Sequence, residues 1–167
     1  ALLPHGLYSA PGDEEGSPAQ RTELLRAGVL TGCLHDLETA ARAQTRSTGN
    51  GFRPELTSPP GVGPSNFLLQ PGPDSLVSLL TAYPGALYAA DVLGLHTLDP
   101  VTGDFSLGAG GWLLEAGQAG RPVRGITISG NLLTWLKQID RLADDLTVFG
   151  HFGAPTVAVR DLTLAGS

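Results

Sequence analysis

The chain has 167 residues, with 10 Lys plus Arg against 16 Asp plus Glu and a formal net charge of -6. That length suits one domain of ordinary size. Its arginines are thinly scattered around a single lysine, Lys137, so there is no basic footprint for phosphates and direct nucleic-acid binding is not expected. The lone Cys33 excludes an internal disulfide, and no apolar run approaches the roughly 20 residues of a membrane-spanning helix, which points to the cytoplasm and away from a membrane. The opening at Ala1, without Met or a signal-peptide pattern, reads as a piece of a longer protein.

With 23 Gly and 13 Pro beside 41% hydrophobic residues, many short strands are expected. The expected fold is α+β and β-rich: an antiparallel β-barrel or sandwich-like single domain over 1–167, with two or three packing helices. Residues 1–20, rich in Gly, Pro, Ser and acid, read as an extended opening segment whose acids are solvated. Runs Thr22 to Leu25 and Val29 to Leu34, joined at Arg26-Ala27-Gly28, read as a hairpin. "LLRAGVLTG" (24–32) resembles "LLEAGQAGRPV" (113–123), with Gly28 and Gly117 at the same offset, so two similar hairpins are expected.

"HDLETAARAQT" suits a short helix with Asp36 accepting from its free N–H groups. Residues 47–66 hold four prolines and no apolar period, so they form a long loop that is functional or mobile. A strand ending at Pro71 then leads to a short helix capped by Asp74, followed by a buried strand "ALYAADVLGL". After a turn at residues 99–103, Gly108, Gly110 and Gly111 permit a bulge or a close backbone approach. Strand-forming residues run into Ser129-Gly130-Asn131. Beyond them Leu132, Trp135, Leu136, Ile139 and Leu142 fall on one helical face, predicting a helix that runs through Leu142. Two or three strands close the chain.

A zinc-hydrolase helix needs two histidines four or five apart beside a glutamate, and His5, His35, His96 and His151 are too scattered for that. Cys33 and His35 would share a strand face, yet a lone cysteine behaves mostly as a small hydrophobe. The residues contain no Gly-x-Ser-x-Gly elbow, phosphate-cradling loop or dinucleotide fingerprint. Asp144 and Asp145 cap a turn after the long helix, with a ligand contact at Asp145 left open.

Five blocks, "RTELLRAGVLTGCLHDLETA", "STGNG", "SNFLLQPGPDSLVSLL", "DPVTGDFSLGAGGWLLEAGQAGRPVRGITISGNLL" and "DDLTVFGHFGAPTVAVRDLTLAG", resemble the C-terminal region of the TldD/PmbA family, long labelled modulators of DNA gyrase. The resemblance implies a subunit of a cytosolic zinc metallopeptidase that trims peptides, pairing a TldD-type catalytic subunit with a TldE (PmbA) type partner. In the catalytic type a His-Glu-x-x-x-His helix lies upstream and a cysteine ligand precedes the last strands. Here the matching segment is "FGHFGAPTV", without cysteine, which favours the supporting TldE/PmbA-like type and leaves open whether this chain is itself an enzyme.

No catalytic or metal residue is therefore assigned in this chain, and zinc is expected on the catalytic subunit. The expected partners are a TldD-type subunit or a second copy, and a peptide substrate. Candidate peptide-binding or interface residues are Thr48, Gly49, Asn50, Ser65, Asn66, Ser129, Asn131 and Asp145, with Ser129 and Asn131 favoured as a structural hinge that caps a helix. The competing reading is a protein-binding adaptor linked to gyrase modulation.

Overall fold

Two Ala-Gly turns set the pairing of the strands. In the computed structural model, which describes residues 2–166, both central residues of each turn have positive φ: 49° and 78° at Ala27 and Gly28, and 49° and 80° at Ala116 and Gly117. That is the turn whose twist matches flanking antiparallel strands, so the two similar stretches do form two similar hairpins.

In chain order the elements are β1 (Leu25–Arg26), β2 (Val29–Leu30), α1 (Leu37–Arg42), β3 (Gly51–Phe52), β4 (Gly61–Val62), β5 (Phe67–Leu68), α2 (Leu76–Ala82) and β6 (Leu87–Leu93). A single 3-10 turn, Leu95–Thr97, precedes β7 (Asp104–Glu115), β8 (Gln118–Asn131), α3 (Leu132–Lys137) and β9 (Ile139–Leu142). The chain closes with β10 (Thr147–Phe149), β11 (Phe152–Ala154), β12 (Val157–Val159) and β13 (Thr163–Ala165). The fold is β-rich with three α-helices and several antiparallel sheets, as expected. No sheet closes into a barrel among the described residues. The chain divides into two compact units, residues 2–69 with 147–154 and residues 70–146 with 155–166.

The first unit has little regular structure. Its hairpins β1–β2 and β3–β4 pair only two residues each, and its sheet has the order β10-β11-β5. Side chains take over the tying. Asp13 accepts from the N–H groups of Glu15 (3.0 Å), Ser17 (2.8 Å) and Gly51 (2.8 Å), Glu14 accepts from Arg53 N, and Glu15 accepts from Leu37 N (2.8 Å). The acids of the opening segment are thus not merely solvated: free backbone donors of a chain short of ladders recruit them. Helix α1 is capped by Asp36 as expected. Asp36 accepts from Thr39 N and hydroxyl, and the hydroxyl in turn accepts from Asp36 N.

The second unit is built on the sheet β13-β8-β7-β6, in which β7 and β8 pair from Asp104↔Asn131 down to Glu115↔Gln118. The expected irregularity at the glycines is present. The register shifts between Ala109 and Gly111, and a Cβ on Gly111 would lie 1.9 Å from Tyr88 O. Leu79 of α2 and Leu114 of β7 are buried here.

Several expectations need correction. The helix after Asn131 stops at Lys137, and Ile139–Leu142 form β9, antiparallel to β12. Its apolar period is genuine, but long-range ties outweigh propensity. Asp140 is held by Arg160 (2.7 Å) and by the Tyr83 hydroxyl, while Arg141 forks onto Asp74. That fork explains why Asp74 is not the cap of α2: its carboxylate is committed to a guanidinium, and Ser75 accepts from Ser78 N instead (3.2 Å). Strand β6 is not buried but lies at the sheet edge with Ala89–Leu93 exposed. The terminal segment forms four strands from β10 to β13, one more than expected, because β10 and β11 close their own two-residue turn.

Candidate functional site

"TVFGHFGA" folds into the β10–β11 hairpin around Gly150, whose φ of 62° suits glycine, and His151. In this register Phe149 stands opposite Phe152, and Phe152 opposite Phe67 of β5. Directly opposed residues share a face. The three rings therefore make a row across the sheet, with 76%, 50% and 47% of their surfaces exposed. Phe67 meets Phe152 edge-on at a centroid distance of 6.4 Å. The His151 imidazole lies 4.0 Å from the Phe152 ring and 4.5 Å from that of Tyr8, and its carbonyl accepts from Phe67 N (2.7 Å). An exposed aromatic row on paired backbone offers wide, stiff apolar contact area at small entropic cost.

The sequence candidates divide between the two units. In the first, the Thr48 hydroxyl accepts from His35 N (2.7 Å), and its hydroxyl proton has Asn50 Oδ1 (2.8 Å) and His35 O (3.0 Å) in reach. Asn50, only 5% exposed, donates to Gly63 O (2.9 Å). Gly49 has φ 70° and sits where a Cβ would meet Pro18 O at 2.4 Å. Ser65 is buried, while Asn66 donates to Ser9 Oγ (3.0 Å) and accepts from Tyr8 N (3.3 Å), which ties it to the residue beside His151.

In the second unit Ser129 sits mid-sheet on β8, opposite Ser106 and Thr163. Asn131 caps α3 by accepting from Leu133 N (3.1 Å) and Thr134 N (3.4 Å), and it donates to Thr102 O and Asp104 Oδ1 (both 2.8 Å). Asn131 at the strand-to-helix junction thus has a local reason, whereas Ser129, two residues earlier and paired within β8, does not cap the helix as expected. Asp145 accepts from Thr156 N (2.7 Å) and hydroxyl (2.6 Å). Burial pushes the Asp145 carboxyl up, but these Thr156 bonds prevail and it lies below the ordinary range. The Tyr83 hydroxyl is raised by burial and by Asp140, whose own carboxyl is lowered by Tyr83 and Arg160.

The aromatic row itself was missed in the sequence. "FGHF" around one glycine was its signal, but only the strand register shows that Phe149 and Phe152 face the same way and that Phe67 joins them.

The residues present do not fit a zinc site: among the described residues no three His, Cys, Asp or Glu side chains gather to hold a metal. Cys33 is exposed and lies outside any strand, and the ring of His151 is engaged with aromatic neighbours.

Residues 1–166 match the PmbA/TldA metallopeptidase C-terminal domain. The chain is 31% identical to a metalloprotease of Synechocystis sp. over 92% of its own length and 36% of that protein's. The fold agrees with a crystal structure from Thermotoga maritima named for a modulator of a DNA gyrase, at a TM-score of 0.89 and 37% identity, covering 98% of this chain and 37% of that one. It also agrees with TldE from Thermococcus kodakarensis, at a TM-score of 0.79 and 23% identity, covering 94% and 36%. The chain thus spans little more than a third of these relatives. It belongs to the PmbA/TldA metallopeptidase C-terminal domain family.

Proposed function

We propose that this chain is the C-terminal domain of a TldE/PmbA-like supporting subunit in a cytosolic zinc metallopeptidase complex, where it forms a wall that receives peptide while a TldD-type partner carries the zinc. The observation that carries this reading is the aromatic row Phe67, Phe152 and Phe149, with His151 beside it, in the segment where the resemblance leads one to look for a cysteine ligand in catalytic subunits. Exposed rings favour an extended peptide over a free metal.

The test is peptide cleavage by the assembled complex with Phe149→Ser and Phe152→Ser introduced into the full-length parent. The expected result is a raised KM with the complex intact, and unchanged KM and kcat would overturn the reading. A second reading, an adaptor that modulates DNA gyrase, draws on the name carried by the Thermotoga maritima structure. Co-purification with gyrase and not with a TldD-type protein would favour it.

A further inference from the structure

We propose that Asn50-Gly51 is a latent deamidation site, held shut by the Asp13 carboxylate and opened only when this part of the first unit lets go. An asparagine followed by glycine is the most labile amide pair in a polypeptide, because no side chain shields the following nitrogen. Here contacts hold both residues. A Cβ at Gly51 would lie 2.4 Å from Glu15 Oε2, and that carboxylate is fixed by Leu37 N at 2.8 Å. Asn50 is buried and bonded at both ends of its carboxamide, to Thr48 and to Gly63 O. The chain therefore carries a chemically weak pair that it cannot exchange without losing contacts.

The reaction is intramolecular and redox-neutral. The Gly51 nitrogen bonds to Asn50 Cγ, the Cγ–Nδ2 bond breaks, and the former amide group leaves as ammonia with the Gly51 N–H proton. Water then adds across either carbon–nitrogen bond of the resulting succinimide and gives aspartate or isoaspartate. The nitrogen must first lose its proton and swing toward Cγ by rotation of the peptide plane that joins the two residues.

That plane is pinned on both sides. Gly51 N donates to Asp13 Oδ2 (2.8 Å), and Asn50 O accepts from Gly63 N (3.0 Å). Rotation breaks both bonds, and a carboxylate at hydrogen-bond distance opposes deprotonation of the N–H it binds. Asp13 is itself oriented by Glu15 N and Ser17 N, so the clamp belongs to the folded opening segment. Once converted, residue 50 would present either a carboxylate to Gly63 O or an extra backbone carbon to the β3–β4 hairpin. Reclosure is then blocked, and conversion records that the segment has opened.

The experiment is peptide mapping by mass spectrometry of the full chain kept for days in mildly alkaline buffer, folded and in urea. Deamidation at Asn50 is expected to be at least about tenfold slower in the folded chain than in denaturant, since only opened molecules react. Asp13→Ala, with circular dichroism showing the fold retained, is expected to bring the folded rate toward the denatured one. A wild-type chain that converts equally fast folded and unfolded overturns the proposal, as does a folded Asp13→Ala chain no faster than wild type. Should Asp13→Ala not fold, the wild-type rate across low urea concentrations decides. A rise in step with hydrogen exchange at the Gly51 amide supports the clamp, and a rate indifferent to that exchange refutes it.

Discussion

The two units solve the same problem, satisfying backbone polar groups, by different means. The second unit uses ladders, with a β7–β8 pairing long enough that most N–H and C=O groups find one another directly. The first unit has strands of two or three residues and uses side chains instead: Asp13, Glu15, Asp36, Thr48 and Asn50 each bind main-chain groups. A ladder tolerates polar substitutions and punishes steric ones near its backbone. A net of side-chain bonds does the reverse, because a lost partner leaves main-chain groups unpaired, at a greater cost where they are shielded from water.

The steepest test of that contrast lies in the ladder. Gly111→Ala drives a methyl group toward Tyr88 O, and with strands on both sides little can move aside. We expect a loss of about 3 kcal/mol in urea unfolding. A loss within error of zero would show that β6 is not held against β7 as described. In the first unit, Asn50→Ala takes the side-chain donor from Gly63 O and leaves the Thr48 hydroxyl with His35 O alone as acceptor, and is expected to cost about 1–3 kcal/mol. A neutral effect would mean that the side-chain net contributes little. Asn131→Ala removes two cap bonds at the start of α3 and is expected to cost about 1 kcal/mol. If unfolding matched wild type while peptide cleavage by the complex collapsed, the residue would be a ligand contact and not a cap.

The smallest effect concerns acid. Asp36, lowered by the Thr39 hydroxyl and N–H, Asp140, lowered by Tyr83 and Arg160, and Asp145, lowered by Thr156 against its burial, all have folded pKa values below their unfolded ones. Their contribution is complete above the unfolded carboxylate value of about 3.9 and is lost as pH falls through the folded values below it. Thr156→Val takes away the hydroxyl bond but keeps the N–H at that position, so it should reduce the Asp145 share. A plot of Tm against pH should then fall less steeply below about pH 4 in the variant than in wild type. Parallel curves would contradict the assignment.

Local chemistry was legible in the sequence wherever cause and effect lie within a few residues. The Asp36 cap, the Asn131 cap, the paired Ala-Gly turns and the glycine bulge at Gly111 all follow from neighbouring residues. Distant partners were not legible. Nothing near Ile139 announces that β12 waits for it, nothing near Asp74 announces Arg141, and the acids at 13–15 gave no sign of Gly51 or Leu37. The candidate site follows the same division. Thr48, Asn50, Ser65 and Asn66 were candidates because they lie in the Pro-rich stretch 47–66, and the bonds of Thr48, Asn50 and Asn66 to distant residues depend on folding. The aromatic row required the register of three strands, one of them some eighty residues earlier in the chain.

Zinc analysis of the purified full-length parent, alone and after assembly with a TldD-type partner, separates a supporting subunit from a catalytic one. We expect no stoichiometric zinc and no peptide cleavage for the parent alone, with both appearing on assembly and the metal remaining with the partner when the two are separated. Stoichiometric zinc and unaided cleavage by the parent would contradict that expectation.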